Sequence, residues 1–423
     1  MTKSWKGFLQ KAGAALALSV ASCGHVYSSG SGAVPAQGDL ASKFQSPIQA
    51  LGFGAPESTG AIQRLYELAG IDMPDGLLSR LYPGLFSTKD RQQSGDALLQ
   101  FVRDTQDTFS QRHINAGSKA GSLERWETKE SEWMKSHAEE ILAQAQILGF
   151  VDAVPPSRIF KGSGLLDQKF DSSALIPQSV QPYYYAADRK FQDIKGPVIV
   201  VLGARYPTML RRCAYISTIQ SFLRDQSSVG AIVLLGGARR ASSVDGTPEE
   251  LESIAQEFGV QKDVLTETHL IQYALRKTFP EIRVPVVVID TAASGIARPT
   301  TKTTLEEFAK WIQTQPAITG AYIVSTQPHM LYQKAVTMEV LNQAAPGLDF
   351  EVVSPAAPPD LTSKDFLEAF ASALWAKTPL VIQGLNLSIS GEASALATKL
   401  YPDNSAIRYI ITSSAAKQCV GGR

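Results

Sequence analysis

The sequence predicts an α/β fold with a mainly parallel sheet, and three observations carry that reading. Four short apolar runs, Val198–Leu202, Ala231–Leu235, Val286–Ile289 and Ala321–Val324, are continuous and rich in β-branched residues. Such runs mark strands buried on both faces, as parallel strands are. Helix-length segments separate them, so crossover connections return the chain to the same sheet edge. Each run is followed at once by glycine, polar or cationic residues: GARYPT, GGARR, DTAASGIARPTTKTT and STQPHMLYQK. In such a sheet ligands bind beyond the carboxyl ends of the strands, where strand order reverses. Those four sequels are therefore where chemistry is expected.

At 423 residues the chain suits two or three domains of roughly 100–200 residues. Lys plus Arg and Asp plus Glu balance at 40 each, so no global field points to nucleic acid and charge arguments must be local. Residues 1–22 carry Lys3, Lys6 and Lys11 ahead of the apolar AALALSVAS, too short a run to span a bilayer and patterned as a secretory signal. Val20-Ala21-Ser22-Cys23 resembles a bacterial lipobox. The resemblance implies an acylated Cys23 as mature N-terminus, and Gly24 after it, where an aspartate would retain the protein in the inner membrane, implies the outer membrane. The alternatives are an ordinary secretory signal and a soluble periplasmic or secreted product. Residues 23–56, rich in Gly, Ser, Ala and Pro, are a flexible tether by composition. Cys213 and Cys419 make neither a disulfide framework nor a metal spacing, and Cys213 reads as a small buried residue.

Residues 57–154 are expected to be helical, with stripes Ala61, Leu65, Leu68 and Leu98, Leu99, Val102, and a stretch at Leu123–Leu148 that packs Trp126 and Trp133. Residues 155–196 form a connector. Tyr183, Tyr184 and Tyr185 in it are expected on a loop laid along the sheet edge, or else lining a groove. The α/β domain spans 197–354. Thr247-Pro248-Glu249-Glu250 supplies an N-cap, a first-position proline and a capping-box glutamate. Thr303 and Thr304 stand three residues before Glu306 and Glu307, a capping box in either register. Residues 355–423, with FEVVSP just before them and LVIQGL and RYIIT within, are expected to extend the sheet.

No GxGxxG, P-loop, HExxH or GxSxG occurs. What remains at the strand ends is Gly203 and Arg205, then Gly236, Gly237, Arg239 and Arg240, then Arg298, Thr300, Thr301, Lys302 and Thr304, then Ser325, Thr326 and His329. Glycines let a ligand approach the backbone, helix N-termini present N–H groups to an anion, and arginines add charge-assisted bonds to phosphate or carboxylate. Each arginine alone suits a solvated loop; their recurrence after three strands points to an anion pocket. Glu267 opens a helix in TETHLIQYAL as a general base, a metal ligand or a complement to the helix dipole. His329 directly follows a strand, placed for acid–base work or for a structural hydrogen bond. His269 lies two residues beyond Glu267 and would point elsewhere. No ligand spacing argues for a metal, and no cofactor is indicated.

The ordered series VIVVLGA, RR, AIVLLGGA, TETHLIQYAL, VPVVVID, TTKTTLEEFAKW and YIVSTQPHMLYQKA resembles the YdcF-like, SanA/ElyC-type envelope family. Gly203, Arg212, Gly236 with Gly237, Glu267, Thr304 with Glu306, and Ser325, Thr326 and His329 fall at that family's motif positions. The match covers residues 197–354. It departs from the pattern at Tyr332, where the family has arginine, at Glu307 for asparagine, and at Thr266 and Thr268 around the glutamate. The resemblance implies a Rossmann-like three-layer α/β/α sheet and a role in envelope precursor metabolism. Together these observations lead to an anchored α/β protein that binds, and hydrolyses or transfers, a phosphorylated or anionic envelope metabolite, free or lipid-linked. The sites expected are Glu267 and His329 for proton transfer, and Gly203, Arg205, Arg212, Gly236, Gly237, Arg239, Arg298, Thr304, Ser325 and Thr326 for the anion. The competing expectation is a non-catalytic lipoprotein that binds a ligand or protein. The topology alone also admits a nucleotide or S-adenosylmethionine, against which an exported location counts.

Overall fold

The computed structural model describes Leu51 and residues 56–70, 91–116, 136–156, 184–186, 194–224, 229–280, 282, 284–291, 299–318, 320–384, 387 and 389–401. The signal, the tether apart from Leu51 and Pro56, Trp126, Trp133, Tyr183, Arg298, Cys419 and RYIIT lie outside the described residues. The chain divides into two compact units, one of residues 1–149 with 360–423 and one of residues 150–359.

The second unit is α/β, as the apolar runs predict. Its elements are β1 (Tyr184–Ala186), β2 (Val198–Leu202), β3 (Ala231–Gly237), β4 (Val286–Thr291), β5 (Gly320–Val324) and β6 (Asp349–Val353). Between them lie helices that become α4 to α8 once α1 to α3 of the other unit are counted: α4 (Tyr206–Arg224), α5 (Pro248–Phe258), α6 (Glu267–Thr278), α7 (Thr301–Gln313) and α8 (Met330–Ala344). The six strands run parallel in the order β1-β4-β3-β2-β5-β6. Tyr184–Ala186 is thus a short edge strand, with Tyr184 opposite Val286, in place of the expected edge loop. Every residue of β2, β3 and β5 is buried, which is why these runs show no alternation.

Alternate side chains face opposite layers. Ile199, Val201, Ile232 and Leu234 pack with Met209, Cys213, Ile216 and Ile219 of α4 and Leu270, Ile271 and Ala274 of α6. On the other side α7 packs on β3 and β4, and α8 on α7 and β6. The chain moves from β2 to β3 to β4 in one direction, then adds β5 and β6 on the opposite side of β2. Strand order therefore reverses between β2 and β5, which opens a crevice beyond their carboxyl ends.

Local signals explain the helix starts. Thr247 caps α5: it accepts from the Glu250 N–H at 3.2 Å and donates its own N–H to Glu250 at 2.9 Å. Gly259 ends that helix at φ +64°, a conformation that favours glycine. α7 departs from expectation. Its N-cap is Thr300, whose N–H donates to Thr303 Oγ1 at 2.8 Å, so the helix begins a turn earlier than a Thr303 or Thr304 cap would allow. Threonine at the third position reaches the cap as glutamate would, and Glu307 pairs with Lys310 instead. The two ends of the unit are tied by an antiparallel bridge of Val154 and Ser354.

The other unit is helical where described: α1 (Pro56–Leu68), α2 (Arg91–Ala116), α3 (Ala138–Ile147), α9 (Ser363–Gly384) and α10 (Gly391–Leu400). α9 packs against α1, α2 and α3, and α10 against α2. Phe101 and Phe370 meet edge to face at 6.5 Å, and Trp375 stacks on Tyr401 at 5.3 Å. This corrects the expected extension of the sheet: LVIQG is the last turn and a half of α9, and no strand follows β6 among the described residues. Phe366, Phe370, Ala373, Leu374, Val381 and Ile382 are all buried at helical spacing. Pro379 sits inside this helix and does not end it. Among the described residues no helix is long and apolar enough to cross a membrane.

Candidate functional site

Glu267 lies over the carboxyl ends of β2 and β3. It is the first residue of α6, where a carboxylate complements the helix dipole. Its N–H donates to the Arg239 carbonyl at 2.9 Å, and Arg240 bridges Thr266 in antiparallel fashion, so the start of α6 is fastened to the segment leaving β3. The Glu267 residue is 8% exposed. Its side chain lies across two strand ends: a Cβ on Gly203 would stand 2.9 Å from Glu267 Cδ and Oε1, and a Cβ on Gly237 would stand 3.1 Å from Oε2. A Cβ on Gly236 would meet Thr268 Cα at 2.7 Å. The sequence marks these glycines for close approach of a ligand to the backbone. The structure shows that what approaches is the protein's own Glu267 and Thr268.

The charges around Glu267 are arranged in depth. Arg239 forks onto Asp245 with two bonds of 2.7 Å, and Asp245 also accepts from the Ser242 N–H at 2.9 Å. The same arginine lies 4.0 Å from Glu267 Oε1. Its pKa is raised, chiefly by the bond to Asp245. Burial alone would push the Asp245 carboxyl up, but Arg239 and Ser242 together hold it below the usual carboxylate range.

Arg212, on the inner side of α4, is 1% exposed. It donates through one terminal nitrogen to the Leu202 and Gly203 carbonyls, each at 2.7 Å, and through the other to Thr326 Oγ1 and Gln333 Oε1, each at 3.1 Å. It is therefore turned into the protein beneath the crevice. Burial pushes its guanidinium down to about 10, against the opposing pull of the Glu267 charge.

The β5 side of the crevice is the segment Ser325–His329. Ser325 donates to Gln333 and Thr326 accepts from Arg212, so both hydroxyls serve the internal network. Gln327 donates to the Asp152 carbonyl at 2.9 Å. His329 is exposed at the N-cap of α8. Across the crevice Arg205 is exposed immediately before α4. Arg205 and His329 are thus exposed beyond the ends of β2 and β5, and Glu267 is buried. Thr304 is buried in the first turn of α7 and donates to the Thr301 carbonyl at 3.1 Å. Lys302 pairs with Glu339 at 2.8 Å, and Arg240 donates to the Asp263 carbonyl. Tyr332 bonds the Thr301 side chain, with its phenol pushed up by burial, and so links α8 to α7. His269 lies 3.1 Å from the Thr266 N–H through Nδ1 and packs edge-on against Phe258, away from the crevice as its spacing predicts.

The structure thus brings together Gly203, Gly237, Arg239, Glu267, Arg212, Thr326 and Ser325. Sequence reasoning missed Asp245, Thr268, Asp290 and Gln333. Thr268 Oγ1 donates to Asp290 at 2.6 Å at the end of β4. The Asp-Gly pair at Asp245 and the aspartate closing VVVID were signals available for two of them. Gln333 carries none. A groove of about 330 Å³ at the start of α5, lined by Ala241, Ser242, Pro248, Leu251 and Lys262 among others, includes neither Glu267 nor its glycines. Among the described residues no group of three or more His, Cys, Asp or Glu is placed to hold a metal ion. In comparisons with protein-family models, curated proteins and solved structures, nothing matched this chain.

Proposed function

We propose that the domain of residues 150–359 binds a phosphorylated or otherwise anionic small molecule in the crevice between β2 and β5, and that Glu267 takes the proton of the group reacting there. The observation that carries this reading is the Glu267 carboxylate, buried over the carboxyl ends of β2 and β3 and seated on Gly203 and Gly237, with β2 the strand at which the order reverses. A carboxylate held out of bulk water suits general-base work. Arg205 and His329 adjoin the first turns of α4 and α8, whose N–H groups point to where an anion would sit. Hydrolysis or transfer of the phosphorylated part is the reaction class this pairing of base and anion site suits. His329 is the proton donor to the leaving group in this scheme.

The order of motifs and the position of Glu267 support placing the domain with the YdcF-like envelope family, Tyr332 being its main departure. The lipobox at Cys23 and the tether behind it support a lipid-anchored location on the periplasmic side of the outer membrane, and hence an envelope metabolite as ligand. A Cys23→Ala chain that is processed and still fractionates with membranes would overturn the anchor. A second reading, a binding module without catalysis, is favoured by one observation: Arg212, Arg239, Ser325 and Thr326 already bond within the protein. Turnover of a generic phosphomonoester and of a phosphodiester by purified full-length protein, with Glu267→Gln and His329→Ala beside it, separates the two. The catalytic reading requires turnover that Glu267→Gln abolishes while phosphate binding persists. Envelope phenotypes untouched by either variant would leave the binding module.

A further inference from the structure

We propose that Asp245 is a positioning residue for Glu267: it takes both terminal nitrogens of Arg239 into its own fork, and so keeps that guanidinium beside the Glu267 carboxylate without letting it close into a hydrogen-bonded pair. The inference rests on the reading of Glu267 as the proton acceptor, and it gives Asp245 no contact with the ligand.

Three side chains carry the geometry. Arg239 donates through Nη1 to Asp245 Oδ2 and through Nη2 to Asp245 Oδ1, each at 2.7 Å. The same Nη2 stands 4.0 Å from Glu267 Oε1, close enough for an ion pair and beyond hydrogen-bond reach. Asp245 is itself held in place and 0% exposed. Ser242 donates to its Oδ2 through the N–H at 2.9 Å and through Oγ at 3.2 Å, and the Asp245 N–H donates to the Ser242 carbonyl at 2.9 Å. One guanidinium thus lies between two carboxylates, and the one fixed by its own turn has the fork.

Fastening the segment after β3 does not require this ion pair. Its backbone is already tied: the Ala238 N–H donates to the Thr291 carbonyl at 3.0 Å, the Ala241 N–H to the Leu265 carbonyl at 2.9 Å, and the Glu267 N–H to the Arg239 carbonyl at 2.9 Å. Those bonds already bring Arg239 up to Glu267. An arginine beside a carboxylate tends to close into a bidentate pair. A carboxylate bonded in that way has its pKa drawn far down and is a poor proton acceptor near neutral pH. By offering the fork a better-seated partner, Asp245 lets Glu267 feel the positive charge without being bonded by it.

Other charges surround the pair. Arg212 on α4 lies within the electrostatic influence of Glu267, and Asp290 at the end of β4 accepts from the neighbouring Thr268. His269 on the same helix turns back onto Thr266, and Arg205 and His329 are exposed beyond the ends of β2 and β5. The variants that follow alter none of these.

The test reads two signals in the full chain. Carbon NMR of protein labelled at the glutamate carboxyl carbons, assigned with Glu267→Gln, gives the Glu267 midpoint. Nitrogen NMR of the arginine side chains, assigned with Arg239→Lys, shows whether the Arg239 Nη signals are resolved, as in a held guanidinium, or merged by rotation. Asp245→Asn is expected to lower the Glu267 midpoint by about one pH unit or more as Arg239 closes on it. In that variant the Arg239 signals are resolved while Glu267 is ionised and merge once it is protonated. In wild type they stay resolved on both sides of the midpoint, because the depressed Asp245 carboxyl keeps the fork. Loss of a negative charge alone would also lower the midpoint, but it would not make the rotation of Arg239 follow Glu267. Should Asp245→Asn fail to fold, Glu267→Gln decides, since a fork owned by Asp245 leaves the Arg239 signals resolved there. Three results overturn the proposal and leave Asp245 a structural tie: a Glu267 midpoint in Asp245→Asn that rises or stays within about 0.2 units of wild type, Arg239 signals in that variant that ignore Glu267, or signals that merge in Glu267→Gln. No ligand enters these measurements, so their failure is distinct from failure of phosphate binding or turnover.

Discussion

Gly203→Ala probes the seat of Glu267 most sharply. A Cβ there would stand 2.8 Å from the Leu235 carbonyl oxygen and 2.9 Å from Glu267 Cδ and Oε1. The two neighbours differ in how they can respond. Leu235 is opposite Leu202 in the β2–β3 ladder, so its carbonyl does not retreat without breaking strand pairing. The carboxylate can swing, but only by leaving Arg239, 4.0 Å away, and its seat on Gly237. Forcing one methyl into a packed site of this kind costs about 1–3 kcal/mol. Hydrogen exchange of the β2 and β3 amides reads the stability of this domain without the helical unit, and a loss of about 2 kcal/mol appears there as exchange roughly 30-fold faster. Gly237→Ala, with its nearest contacts at 3.0 Å from the Pro299 ring, is expected to cost less than Gly203→Ala. Gly259→Ala meets nothing within 4 Å but sits at φ +64°, and its cost of about 1 kcal/mol is backbone strain alone. Exchange in Gly203→Ala within about twofold of wild type would refute the claim that Glu267 and the Leu235 backbone occupy that space.

Three further outcomes follow from the same structure. Asp245→Asn removes the partner of a largely buried arginine and is expected to destabilise the domain by about 3 kcal/mol in urea denaturation. Because the folded Asp245 carboxyl is depressed, its contribution is present above the unfolded pKa near 4 and is lost as pH falls through the folded value; the acid limb of the stability curve should flatten in the variant. Cys213 is 0% exposed with its thiol pushed up to about 12 by burial, so a thiol reagent should leave it untouched in a Cys23→Ser, Cys419→Ser background until the domain unfolds. Thr247→Ala removes the cap of α5 and is expected to cost about 1 kcal/mol, read as faster exchange in the first turn of that helix.

Much of the α/β fold was legible because fully buried parallel strands leave an unmistakable trace. VIVVL, AIVLL, VVVI and AYIV have no polar face to hide, and each became a strand. LVIQG carries a similar local composition yet lies in a helix, since its apolar residues continue the spacing of Phe366 and Phe370 and only the tertiary partners, α1 to α3, decide between the two. The site was legible in its central residue and less so in its cations. Glu267 was marked by its place at a helix start. The direction in which an arginine points is not local information: Arg212 turns inward because Leu202, Gly203, Thr326 and Gln333 offer acceptors from three separate segments. The glycines were recognised as places of close approach, but the approaching group is Glu267, about 64 residues from Gly203 in the chain.

The central claim is that the strand-order reversal between β2 and β5 takes an anion above Glu267. Titrating inorganic phosphate into uniformly 15N-labelled full-length protein, and following the backbone amides, tests it directly. The account predicts saturable shifts of Gly203, Ala204 and Arg205 on one side and of Thr326, His329 and Met330 on the other, abolished together in Arg205→Ala. Shifts that fail to saturate, or that gather at Ser242, Gly246 and Lys262 around the groove beside α5, would contradict it.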